Sequence, residues 1–581
     1  MDEQHLSRRQ WVGLLTLPAI AATIGYSAWP NQPAAHADAV VGAQPNPPGA
    51  RTFNVLEFGA RGDGNALDTA AIQSAIDACA ADQGGTVLVP AGTFLIGTIE
   101  LKSNVTLHIC AGGTLLGTTD GTQYHAAERI PLRGDSTLND GNVAIVFAAY
   151  AKNVTVEGPG TIDGQGDAFR SRVRGEKPPS GVGGDRRPHS LLFYRCDRLI
   201  VRDIFLKASA YHCIRPIQCA HVHFDGINIY NRVNHNNDGF HFISCVYVNV
   251  SNCNVMSQDD ACTLFGSCQY VTITNCTFST RWSVFRFGGG IAQNIAVSNC
   301  VLYQVYGCPI KMRCGPGSRY ENISFSNLVM QDVTGPISIG LGPLSRRARP
   351  ASRPGTPVVN QEGEEPAAIS DRVPGIVRNI SFSNIRATVT SSPAQLPNVA
   401  FTSAYAEGEI RSCIALNGVN GEYLENITFD NVHVTYGGGG TAEDAAIRDV
   451  PQRAGEYFEL GRLPAYGMYA RGVRGLTLQN VRFQVEQPDL RPALVFDRVE
   501  DVAINGLSVQ GNPAGESVLR FVDAKQALLS ASRVLTPAAV FMRVEGGDSN
   551  GIIIDGGDLS NAAQPTDFAA GADQSSVKLR V

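Results

Sequence analysis

A chain of 581 residues with a formal charge of −6 and no basic run interleaved with aromatics does not suit a nucleic-acid binder. Charged residues make up 17% and glycines number 61, a balance that favours many turns and short strands over long surface helices. The length allows several ordinary domains, or a single body if the chain repeats.

Ser7-Arg8-Arg9-Gln10-Trp11 has the pattern of a twin-arginine export motif, and an apolar stretch follows from Val12 to Ala28. Pro18, Thr23 and Gly25 interrupt that stretch, and Ala35-His36-Ala37 offers a small-x-small cleavage site. Residues 1–37 therefore read as a cleaved signal rather than a membrane anchor. A Pro/Ala-rich linker, residues 38–50, would join it to a periplasmic or secreted protein with no membrane association in its mature form.

The folded part opens at Phe53-Asn54-Val55. Asp68-Thr69 then caps an amphipathic helix over 70–81, with Ile72, Ala75, Ile76 and Cys79 on its apolar face. Gly84-Gly85 ends it, and Thr86 to Pro90 reads as a strand. A helix over the first rung would protect the open end of a stacked core.

Beyond this point one alternating pattern recurs, for example at Tyr247-Val248-Asn249-Val250, Tyr270-Val271-Thr272-Ile273, Asn294-Ile295-Ala296-Val297 and Asn322-Ile323-Ser324-Phe325. Successive copies lie about 25 residues apart, a period that predicts a parallel β-helix. Each copy ends in a polar residue, and Asn252, Asn275, Asn299, Asn327, Asn384, Asn431 and Asn480 form one column. Stacked asparagines at a sharp turn are expected to bond one another's backbone. The expected fold is all-β, a solenoid of residues 51–581 with a short N-terminal capping helix.

Fourteen cysteines in an exported chain first suggest disulfides. Cys253, Cys276 and Cys300 instead follow the repeat, which points to thiols filling one interior niche on successive rungs. A bridge elsewhere, involving Cys308 and Cys314, stays open. CxxC pairs are absent, which argues against a zinc site; no metal or cofactor is expected. Two excursions, 344–372 and 437–469, interrupt the period, and loops this long on a rigid coil suit a binding cleft.

Asp238 and Asp260 lie one period apart, with Asp259 beside them. On a coil they would share a wall, with their carboxyl groups about 5–9 Å apart, and three clustered acids suit proton transfer at a glycosidic oxygen. Two like charges this close push one pKa upward and so divide the roles of acid and base. Lys311 and Arg313 reach the same wall two coils later.

Phe53–Asp63, Gly160-Thr161-Ile162-Asp163-Gly164-Gln165-Gly166, Asn237-Asp238-Gly239, Asp259-Asp260 and Ile310-Lys311 resemble, in order and spacing, the polygalacturonase family (glycoside hydrolase family 28), within the pectate-lyase-like superfamily. The resemblance extends to Leu463-Pro464-Ala465-Tyr466-Gly467. It implies a right-handed parallel β-helix and hydrolysis with inversion, with Asp259 as general acid and with Asp238 and Asp260 holding the water as general base. The chain departs from the family in three places. Asn236-Asn237-Asp238 stands for Asn-Thr-Asp, Arg281 to Gly288 for Gly-His-Gly, and Pro309-Ile310-Lys311 for Arg-Ile-Lys. Either Arg286 and Arg313 replace the lost cation at a substrate carboxylate, or the sugar is not galacturonate.

Lys311, Arg313, Arg286, His241 and Tyr466 are the candidate substrate-binding residues. For His241 and Tyr466 packing is an equal alternative, whereas His189, His212 and His235 read as structure or subsite lining. The expected partner is a pectin-type polysaccharide or its oligosaccharides, bound by a monomer. Two other functions stay open: a lyase of similar fold, cleaving by β-elimination, and a non-catalytic glycan-binding β-helix.

Overall fold

In the computed structural model the described residues are 48–125, 143–169, 187–343, 373–394, 396 and 408–580. The expected signal 1–37, most of the linker and the excursion 344–372 lie outside them. Residues Pro47–Val581 form one compact unit.

That unit is a right-handed parallel β-helix in which each strand pairs with the equivalent strand of the next rung. Val222 pairs with Val248, Val248 with Val271, Val271 with Ile295 and Ile295 with Ile323. The same line continues through Ile380, Ile427, Leu476 and Val502 to Ala527 and Ile552. All of these side chains are buried, each stabilising the stack by about 1.5–3 kcal/mol where it is a full Val, Ile or Leu. Phe325, Phe382 and Phe429 stack in a parallel column, with ring centroids 5.3 and 4.8 Å apart. Two rungs, Asp197–Arg202 and Lys525–Val534, did not stand out in the sequence. Arg198 and Gln526 take the left-handed turn position there, in place of the Asn or Tyr that opens most other copies.

The seven turn asparagines from Asn252 to Asn480 all take the left-handed conformation, with φ between +49° and +57°, a region Asn enters more readily than most residues. From Asn299 onward their side chains bond one another rather than the backbone, whereas Asn252 donates to Asp225 at 2.7 Å. Asn327 donates to Asn299 (3.0 Å), Asn384 to Asn327 (3.0 Å), Asn431 to Asn384 (2.8 Å) and Asn480 to Asn431 (3.2 Å). An amide has a donor and an acceptor on opposite corners, so equal stacking lets each satisfy its neighbour. All fourteen cysteines are free, thirteen of them buried, and this includes Cys308 and Cys314.

The capping helix spans Thr69–Ala81 and buries Ile72, Ala75, Ile76 and Cys79. Asp68 precedes it but makes no side-chain cap bond. Its carboxylate instead accepts the Arg61 and Gly62 N–H groups at 2.8 and 3.0 Å, fastening the loop before the helix. Among the described residues no helix is long and apolar enough to cross a membrane.

Candidate active site

Phe240 pairs with Cys262, and Cys262 with Phe285. Counting back two residues stands Asp238 over Asp260 and Asp260 over Ser283, and the Gly239 N–H donates to the Asp260 carbonyl at 3.0 Å. Gly239 is glycine because of that closeness: a Cβ there would lie 2.4 Å from the Ala261 carbonyl oxygen. Asn237 shapes the turn that presents Asp238. Its oxygen accepts the N–H groups of Val233 and Asn234, while its amide donates to the Ser209 and Tyr211 carbonyls, both at 2.9 Å. The coil thus brings together the acids that the period pointed to.

Asp238 and Asp260 are buried, whereas Asp259 between them is partly exposed. The Asp259 carboxylate accepts the Asp260 N–H at 2.9 Å and lies 3.5 Å from the Asn236 amide. Burial raises its pKa against that N–H bond and the charges of Arg281 and Lys311. Asp260 accepts both the N–H and the hydroxyl of Ser283, and its second oxygen lies 4.0 Å from Arg286 Nε. Burial and the Asp259 charge nevertheless push it up to about 7. Burial, then Asp259 and Asp260, raise Asp238 well above the usual carboxylate range. These are poised acids, not settled ion pairs.

Behind Asp238 sits a column of rings. His241 Nδ1 lies 2.6 Å from Asp238 Oδ2, and His212 Nε2 lies 3.8 Å from Oδ1. His212 stacks on His241 at 3.9 Å and on Tyr211 at 4.2 Å, and Arg187 covers the far face of the group over Tyr211 at 4.1 Å. Burial, with Arg215 nearby, keeps His241 well below its ordinary pKa, hence neutral. His241 therefore touches an acid and orients it rather than facing solvent. His212 stands over Asp238 one rung away, two residues before Ile214, which pairs with Phe240. Among the described residues His212, Asp238 and His241 also offer ligand atoms within 4.8 Å of one another. A cation there would compete with the existing His241–Asp238 hydrogen bond.

Arg286 pairs with Lys311, and Gly288 with Arg313, on the same wall. Their charged ends converge on Glu456, from the excursion 437–469, which the sequence reading passed over. Lys311 Nζ lies 2.7 Å from Oε2, while Arg286 and Arg313 lie 3.3 and 3.2 Å from Oε1. Burial alone would raise the Glu456 carboxyl, but Lys311, Arg286 and Arg313 outweigh it and hold it well below the carboxylate range. Glu459 adds a contact to Arg313 at 3.4 Å. The predicted cations do gather beside the acids, but around a carboxylate of the chain itself.

Tyr466 is a correction: it does not line the cleft. It is 2% exposed, packs edge-on against Tyr436 at 6.0 Å, and its hydroxyl donates to the Gln510 carbonyl at 2.8 Å. Its place is the interior.

Residues 79–343 match glycosyl hydrolases family 28. A stretch of 123 residues is 42% identical to an exo-poly-alpha-D-galacturonosidase of Dickeya chrysanthemi, covering 20% of each chain. An exopolygalacturonase of Platanus acerifolia is 24% identical over 416 residues, 66% of this chain and 95% of its own length. Among solved structures, a family 28 exopolygalacturonase of Yersinia enterocolitica superposes with a TM-score of 0.54 at 18% identity, over 78% of each chain. That likeness shows the β-helix.

Proposed function

We propose that this chain, a glycoside hydrolase of family 28 through residues 79–343, cleaves glycosidic bonds of a pectin-type polysaccharide or its oligosaccharides with inversion at the anomeric carbon. One observation carries the reading: Asp238 and Asp260 stand in register on adjacent rungs, with Asp259 partly exposed at their side.

Asp259, the one partly exposed acid of the three, gives a proton to the leaving oxygen. Asp238 and Asp260 hold the attacking water from the other side, and whichever of the two is ionised takes its proton. His241 fixes one oxygen of Asp238 and Ser283 fixes one of Asp260, which turns the remaining oxygens toward the water. The lyase alternative asks for a basic side chain open to a substrate C–H. Lys311, Arg286 and Arg313 are instead each paired to Glu456. The binding-only alternative does not need three acids with raised pKa values at one point.

Nuclear magnetic resonance of the first product formed, on a panel of pectic oligosaccharides, tests the reading. The expected anomer is the inverted one; a retained anomer, or an unsaturated product, would overturn it. We also propose that residues 1–37 direct export and that the mature protein works as a monomer in the periplasm or outside the cell. N-terminal sequencing and sedimentation of the protein from its host read both.

A further inference from the structure

We infer that the sugar held beside Asp259 carries no carboxylate, because Glu456 already fills the cation cluster that would bind one. The inference rests on the hydrolase reading and narrows its substrate.

Lys311, Arg286 and Arg313 surround one carboxylate in the way that cations surround a uronate: an ammonium on one oxygen and two guanidinium groups on the other. The remaining side of Lys311 lies over the Trp282 ring at 4.2 Å, and Arg281 covers the same ring at 4.8 Å. An anionic sugar entering here would bring a further negative charge against a buried carboxylate to which Lys311, Arg286 and Arg313 are already paired. A hydroxymethyl group in the same place brings none, and it offers Glu456 a donor.

Glu456 is not a lid that a substrate would lift. Its own N–H donates to Glu459 Oε2 at 2.8 Å, and Arg313 Nε donates to the Ala454 carbonyl at 3.3 Å. The Tyr457 hydroxyl donates to the Ile337 carbonyl at 2.9 Å, and its ring fills the space over Gly335, where a Cβ would come within 2.3 Å. Arg471 donates to the Val450 and Pro451 carbonyls, both at 2.7 Å. The segment is laced to four rungs. The family match ends at residue 343, before this excursion begins.

The test compares an oligogalacturonide with its carboxyl-reduced counterpart of equal length, in which each carboxylate has become a CH2OH group. The wild-type chain is expected to hydrolyse the reduced form with kcat/KM at least about tenfold higher, a factor that corresponds to about 1.4 kcal/mol. Glu456→Gln is expected to narrow or reverse that ratio by improving the free acid. Equal or faster hydrolysis of the free acid by the wild type overturns the inference, whether or not the variant folds. If neither form is hydrolysed, the hydrolase reading fails instead. Calorimetric binding of the same two ligands then decides the inference: tighter binding of the reduced form supports it, and equal binding, tighter binding of the free acid, or no binding of either overturns it.

Discussion

Two stretches of one wall, built from paired parallel strands in the same register, treat buried charge in opposite ways. Around Asp238 and Asp260 the coil stacks like charges in a desolvated wall, so their pKa values rise, even though a neutral imidazole and a serine each hold one oxygen. Two rungs further on, at Lys311 and Arg313, it gathers cations and then neutralises them with Glu456, whose pKa falls. The first arrangement stores protons ready to move; the second is an ion-pair network of the structural kind. Like architecture does not imply like purpose. The difference lies in what the loops bring to the strands.

The sharpest way to break the comparison is to remove the acid. Asp259→Asn is expected to lower kcat by about 10²–10⁴, the range of a lost general acid, with substrate binding kept. Steady-state kinetics and calorimetry on the variant check this, and an unchanged kcat would dismiss Asp259 from the chemistry.

Next comes the opposite half of the wall. Glu456→Gln leaves Lys311, Arg286 and Arg313 without their counter-ion, and breaking a buried pair of this kind costs about 3–5 kcal/mol. Because the Glu456 pKa is depressed in the folded chain, its contribution is present above the ordinary carboxylate range and is lost as the pH falls toward the folded value. The melting temperature of the variant should therefore fall well below wild type at pH 7, and the gap should narrow in strong acid.

Asp260 behaves the other way. Its folded pKa of about 7 stands above the ordinary 3.8, so its contribution to stability is full below about pH 4 and is lost as the pH rises through 7. Asp260→Asn should raise the melting temperature at pH 8 but not at pH 4, while activity collapses. Scanning fluorimetry at the two pH values separates this from a general effect. A gentler probe is Ser283→Ala. Ser283 favours ionised Asp260, so its loss raises that pKa, and the acid limb of kcat/KM should move to higher pH by up to about one unit. The smallest effect is expected far from both halves: Asn384→Ala removes two ladder bonds and should cost about 1 kcal/mol in denaturant unfolding, with no change in kcat.

Much of the wall was legible before any coordinates. Alternating Val and Ile at a constant period placed the strands, and the spacing of Asp238, Asp259 and Asp260 placed the acids, because a coil converts a sequence period into spatial adjacency. Ser283 obeys that same period one rung beyond Asp260, so it could have been found by extending the count. His212 obeys it too, one rung before Asp238, and its ring stacking with His241 is what the count alone does not show. Asp68 marked the helix start correctly, yet its carboxylate serves the preceding loop, a choice local sequence cannot reveal.

What the sequence determined by itself is therefore the periodic part: the solenoid, its buried columns, the asparagine turns and the meeting of three aspartates. Each follows from nearest-neighbour stacking, in which every rung sees only the rungs beside it. What only the tertiary structure decided is the aperiodic part. Glu456 lies 145 residues from Lys311 along the chain, in an excursion whose path no repeat dictates. Only the folded loop shows that it fills the cations, and that Tyr466 turns inward.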